Sequence, residues 1–220
     1  ILGVWLGDGN HNDAAVTKAP SRMIEVWKKM GKDMGMGLVE RPRNGCSTWA
    51  LVRPDYGRNA FSALLDIYGL RERKHIPNDY ITATIEQRLE LLAGLIDSDG
   101  HLSHSGFDWI SKYRELAEQF VFVCRSVGLA AYMTECVKGI KSTGFSATYW
   151  RVSVSGDTDK IPCLDKKASP RRQKKRHLVH GITVEPMGEG SYYGFAIEGP
   201  DRLFLLGDFT VTHNTYLGLF

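Results

Sequence analysis

Cysteine is scarce: the 220 residues hold only Cys46, Cys124, Cys136 and Cys163. None of them has the paired spacing of a zinc site, which excludes a metal-finger reading. They fit reduced thiols of an intracellular protein, cytoplasmic, or nuclear if the source is eukaryotic. The sequence also lacks an apolar run of membrane length and a secretory leader, so no membrane partner is expected. Low-complexity tracts are missing too, and 43% hydrophobic with 24% charged residues is ordinary for a globular chain. A net charge of only +3 favours an anionic partner weakly, so the distribution of charge says more than its sum. The first residue is not Met and a helix starts at once, so the sequence reads as a fragment of a longer chain.

What is present is one motif used twice. Leu91-Leu92-Ala93-Gly94-Leu95-Ile96-Asp97-Ser98-Asp99-Gly100 has a looser copy at the start, Ile1-Leu2-Gly3-Val4-Trp5-Leu6-Gly7-Asp8-Gly9. Each is an apolar run with small residues four apart, Gly3 and Gly7 in one, Gly94 and Ser98 in the other. Residues i and i+4 share a helix face, so two such helices can pack with their backbones nearly touching. Gly9 and Gly100 suit the left-handed residue that stops a helix, which leaves Asp8 and Asp99 in the last turn. The helix dipole is negative there and neighbouring carboxylates repel, so a positive group is expected between them. Hard oxygen ligands suit Mg2+ (or Mn2+), with the carboxylates of Asp8 and Asp99 and the adjoining Gly7 and Ser98 as candidate ligands.

At these residues the sequence resembles a LAGLIDADG (dodecapeptide, DOD-type) homing endonuclease of the kind carried inside inteins. Residues 92–100 depart from the eponymous nonapeptide only at Ser98, and the first copy keeps Gly3, Asp8 and Gly9. Asp97 has Leu6 as its counterpart, so the metal role falls to Asp8 and Asp99 alone. The resemblance implies an α+β fold, a pseudo-two-fold pair of αββαββα units, with repeat one at 1–80 and repeat two at 81–180. It implies a site-specific double-strand DNA endonuclease that works as a monomer on a long asymmetric target, because both motifs lie in one chain. A catalytically degenerate DNA-binding insert and an RNA maturase on the same fold are the alternatives.

Further along, Met23, Val26, Trp27 and Met30 fall at helical spacing behind Ser21 and predict a core-facing stripe. A strand is expected over 47–52 and a helix over 60–68 ending near Gly69. In repeat two, strands are expected over 107–110, 130–137 and 148–156, with a helix over 112–127 stopped at Gly128. By the resemblance, the outward residues Arg41, Arg43, Arg53, Lys138, Lys141 and Arg151 would meet DNA. The intein endonucleases carry a lysine near each metal-binding Asp. Lys74, before His75-Ile76-Pro77, matches one of these, and Lys166 or Lys167, after Lys160-Ile161-Pro162, the other. Basic residues crowd positions 166–177, as phosphate contacts, a solvated linker or a nuclear localisation patch would require.

From Gly181 the texture changes to short β-like runs at 182–184, 192–197, 203–206 and 209–215, too small for a core of their own without partner strands. His213-Asn214-Thr215 resembles the C-terminal splice junction of an intein. There Asn214 would cyclise on its own carbonyl, His213 would protonate the leaving amine and Thr215 would accept the acyl chain. The resemblance therefore implies a small all-β (Hint-type) splicing segment over 181–214, host residues over 215–220, and a missing N-terminal intein half as partner. Arg202 stands where some relatives have histidine.

Overall fold

A computed structural model describes all residues except 12, 18–20, 44, 56, 104–105, 141–143, 167–178, 180, 182, 192–193 and 214–220. The chain divides into two compact units, Ile1–Lys174 and Lys175–Phe220.

The first unit is built on two helices, α1 (Leu2–Asp8) and α5 (Ile85–Asp99). The crossing is as close as the glycine spacing predicts. A Cβ on Gly3 would sit 2.3 Å from the Leu91 carbonyl oxygen, and one on Gly94 would sit 2.8 Å from the Val4 amide nitrogen. The longer helix starts with a capping box: Thr84 Oγ1 accepts the Gln87 amide while Gln87 Oε1 accepts that of Thr84. Neither helix ends in a left-handed glycine, contrary to expectation. Gly9 (φ −72, ψ 146) and Gly100 (φ −76, ψ 158) are extended. Glycine is required there by space: an added Cβ would lie 2.1 Å from Trp5 O at Gly9 and 2.5 Å from Ile96 O at Gly100.

Repeat one continues with β1 (Ala15–Thr17), α2 (Ser21–Asp33), β2 (Gly37–Arg43), β3 (Cys46–Val52), α3 (Ala60–Ile67) and a short α4 (Asn78–Ile81). Its sheet has the order β1-β3-β2, all antiparallel. The polar-looking stretch after Gly9 thus contributes a buried strand, and the single bridge Gly9↔Val16 stands where a further strand would pair. Among the described residues this repeat is αβαββαα rather than αββαββα. Repeat two, from α5, has β4 (Gly100–Ser103), β5 (Gly106–Ser111), α6 (Arg114–Ser126), β6 (Ala130–Ile140) and β7 (Phe145–Ser155). These strands form a sheet of order β4-β5-β7-β6. Among the described residues a 3-10 turn, Thr158–Lys160, follows β7, and the stretch 167–178, within which the expected last helix could fall, lies outside the described set.

The core lies between the helices and one face of each sheet. Trp27 meets Phe61 edge-on at 5.2 Å, and Trp109 stacks on Phe120 at 4.5 Å. On α2 the buried face is Met23 and Trp27, with Met30 half-buried; Val26 is 36% exposed, because 100° per residue carries it off the stripe that i, i+4, i+7 define.

Among the described residues of the second unit two short strands stand. β8 (Leu203–Leu205) pairs antiparallel with β9 (Val211–His213), and Phe195 packs edge-on to Phe204 at 5.0 Å. The expected strands at 182–184 and 192–197 are absent over their described residues, and Val184 and Phe195 are exposed. Among the described residues no helix is long and apolar enough to cross a membrane.

Candidate active site

Where α1 and α5 end side by side, the backbone carbonyls of both last turns point outward and need donors. A lysine serves each. Lys74 Nζ donates to the carbonyl oxygens of Trp5 (3.0 Å), Gly7 (3.0 Å) and Gly9 (2.8 Å). Lys166 Nζ donates to those of Ile96 (3.1 Å) and Ser98 (2.9 Å). In the aligned motif copies Trp5 corresponds to Ile96 and Gly7 to Ser98, so the two lysines occupy pseudo-two-fold equivalent places. The choice left open between Lys166 and Lys167 falls geometrically on Lys166; Lys167 lies outside the described residues.

Each helix end thus carries a lysine ammonium group, Lys74 on α1 and Lys166 on α5. Lys74 is nearly sealed, 4% exposed, and burial lowers its pKa to about 8 against the pull of Asp99 and Asp8. Asp99 reaches solvent, yet the protein packed around its carboxyl raises that group above the usual carboxylate range, opposed by Lys74, Lys166 and Lys138. Its carboxylate leans across the helix pair: a Cβ on Gly7 would lie 3.1 Å from Asp99 Oδ2 and 2.0 Å from Ser98 Oγ. Asp8, half-buried, ends the other helix.

This donor set suits a hard divalent cation. Among the described residues no group of three or more His, Cys, Asp and Glu side chains gathers, so protein ligation rests on the two carboxylates. That is how Mg2+ is usually held, with water and substrate phosphate completing the shell. The carbonyls of Gly7 and Ser98, also expected as ligands, already accept lysine N–H groups and have one lone pair each to spare.

Asp97, given no role from the sequence, is buried to 1% exposure. Its Oδ2 accepts the Leu164 amide (2.7 Å), and Oδ1 accepts those of Asp165 (3.1 Å) and Lys166 (3.0 Å). Gln119 does a comparable job for the other lysine segment, its Oε1 accepting the Ile76 amide at 2.6 Å. The only sequence signal for Asp97 was its mismatch with Leu6.

Beyond the helix ends lie the open sheet faces. In repeat two, Phe107, Trp109, Val152 and Val154 turn inward, so strand alternation puts Asp108, Ile110, Arg151 and Ser153 on the other side. A depression of about 470 Å3 there is lined by Asp99, His101, Asp108, Ile110, Lys138, Gly139, Phe145 and Tyr149. It joins this face to the carboxylate. Arg151 and Lys138 are exposed on it as expected; His101, Asp108 and Tyr149 were not anticipated. In repeat one, Arg41 sits opposite Thr48 and is ion-paired with Asp13. Arg43 lies on the same strand opposite Cys46, its side chain outside the described set. Arg53 is exposed past the end of β3, where it donates to Asp55 through Nε (2.6 Å) and Nη2 (2.8 Å). Lys141, Asn214 and Thr215 lie outside the described residues, and His213 is the last residue of β9.

Residues 75–182 match the family model described as Homing endonuclease. A protein named Replicative DNA helicase DnaB from Mycobacterium intracellulare is 26% identical over 230 residues, which cover 99% of this chain and 35% of that protein. The Homothallic switching endonuclease of Saccharomyces cerevisiae is 27% identical over 248 residues, 94% of this chain and 42% of that one. The chain thus spans well under half the length of the curated relatives it matches. Among solved structures, that of the homing endonuclease I-DmoI in complex with DNA and Mn is similar at 11% identity, with a TM-score of 0.48 over 70% of this chain and 86% of the other.

Proposed function

We propose that the chain is a site-specific double-strand DNA endonuclease acting as a monomer. The observation that carries this reading is the duplicated set of one Asp and one Lys at the ends of two touching helices, Asp8 and Lys74 from one repeat, Asp99 and Lys166 from the other. Antiparallel DNA strands are themselves related by a two-fold axis, so a pseudo-two-fold pair of such groups suits one phosphodiester in each strand. Asp8 and Asp99 would hold Mg2+ or Mn2+, which supplies Lewis-acid polarisation of the scissile phosphates. Lys74 and Lys166 bring positive charge to where negative charge grows during hydrolysis. Arg151 and Lys138 on the open face of repeat two contact the backbone, with Arg41 and Arg43 in the corresponding role in repeat one.

The reading extends to an intein, intracellular like its host. The endonuclease, 1–180, is joined to a C-terminal splicing segment, 181–214, that acts through His213, Asn214 and Thr215 once an N-terminal half is supplied; 215–220 are host residues. Similarity of nearly the whole chain both to part of a protein named as a helicase and to part of one named as an endonuclease supports a mobile module. The exposed apolar residues Val184, Met187 and Leu205 support a β segment that lacks partner strands.

The test is incubation with Mg2+ and a plasmid carrying the host coding sequence without the insert, followed by sequencing of the ends. A single cut position supports the reading. No cutting with Mg2+ or Mn2+, or cutting at random positions, refutes it.

A further inference from the structure

We infer that Asp97 is a positioning residue that holds Lys166, and through it the cleavage of one DNA strand only; this rests on the nuclease reading above. The carboxylate lies inside the protein and commits both oxygens to three successive backbone amides, those of Leu164, Asp165 and Lys166. Carboxylate acceptors make such bonds shorter and stronger than neutral ones do. The side chain of Lys166 then returns to the same turn of α5, on Ile96 O and Ser98 O. Residues 96–98 therefore fix both the backbone and the ammonium group of Lys166, in a closed circuit next to Asp99.

Among the described residues repeat one has no equivalent: Leu6 takes the place of Asp97 and is buried in the core. The segment of Lys74 is fastened instead by a neutral amide from α6, Gln119 Oε1 on the Ile76 amide. The two lysines are thus held by independent devices, one charged and one neutral. Loosening the charged device leaves Lys74 untouched, so the pseudo-symmetric site becomes unequal and the strand served by Lys166 falls behind.

Asp97→Asn keeps the shape but offers one acceptor oxygen where two served, and turns an NH2 group toward a backbone N–H. On a supercoiled plasmid bearing the target, wild type converts circles to linear product. Asp97→Asn should accumulate nicked circles, with one strand cut at least tenfold more slowly than the other. End-labelled duplex should show the slow strand to be the one slowed in Lys166→Met. Asp165→Pro, at an exposed position, removes one of the three donors without touching the buried carboxylate, and should bias cleavage toward the same strand even if Asp97→Asn fails to fold. Equal slowing of both strands, an unchanged ratio, or slowing of the strand opposite to that in Lys166→Met overturns the inference. A wild type that cuts neither strand refutes the nuclease reading instead.

Discussion

A lysine sealed among three carbonyl oxygens pays for its burial in proton affinity, and that loss can be measured. Lys74 has an ordinary value of 10.5 and one of about 8 in the fold. Between those values the unfolded chain binds the proton and the folded chain does not, so stability gains as pH rises from about 8 to 10.5. Lys74→Met removes this dependence. The difference in unfolding free energy between wild type and variant, read from urea melts, should therefore shift toward wild type over that window, by on the order of 3 kcal/mol in full; a constant difference would deny that the ammonium is desolvated. At this scale the sequence was partly legible. The positions of Asp8 and Asp99 at the helix ends were legible from the motif copies, while Lys74 came only from the family resemblance, as the lysine ahead of Ile76-Pro77. Lys166 could not be told from Lys167, since adjacent lysines differ only in which one the chain turns toward α5. The work of Asp97 was hidden because its partners are backbone amides 67 to 69 residues away, and backbone amides carry no side-chain signature.

For elements, the helix pair was legible because small residues four apart in an apolar run have little use except to let two helices touch. Its tightness gives a second prediction. Gly3→Ala and Gly94→Ala put a methyl group against backbone that cannot give way, so each should cost ~1–3 kcal/mol or more in a denaturant melt. Gly37→Ala, with its nearest neighbours at 3.9 Å, should stay within about 0.5 kcal/mol. Equal losses at all three positions would mean that helix contact is not what the glycines serve. The long alternating strands β6 and β7 and the helix ahead of Gly128 (φ +83) were also readable. The three-residue β1 was not: Ala15-Val16-Thr17 has too few positions to show a period, and its burial is imposed by pairing with Ala50 and Trp49 far along the chain. The closing glycines were misread because a residue that lacks room for Cβ and one that needs positive φ leave the same letter in a sequence.

On the scale of the whole molecule, the open sheet face of repeat two and Asp99 border one depression, and the proposed DNA contacts can be sorted by where each side chain sits. Lys138→Ala and Arg151→Ala should weaken DNA binding and each lower the slope of log K against log salt by about 1. Arg53→Ala should change neither, because that residue lies past the end of β3 rather than on the sheet face. A titration in which Arg53 matters as much as Arg151 would contradict the assignment of faces. The most direct test of the account compares wild type with Asp99→Asn on a supercoiled target plasmid, scoring linear product and bound DNA in the same Mg2+ series. The account predicts metal-dependent linearisation by wild type, its loss in the variant, and undiminished binding by both. Linearisation by Asp99→Asn at the wild-type rate would contradict it.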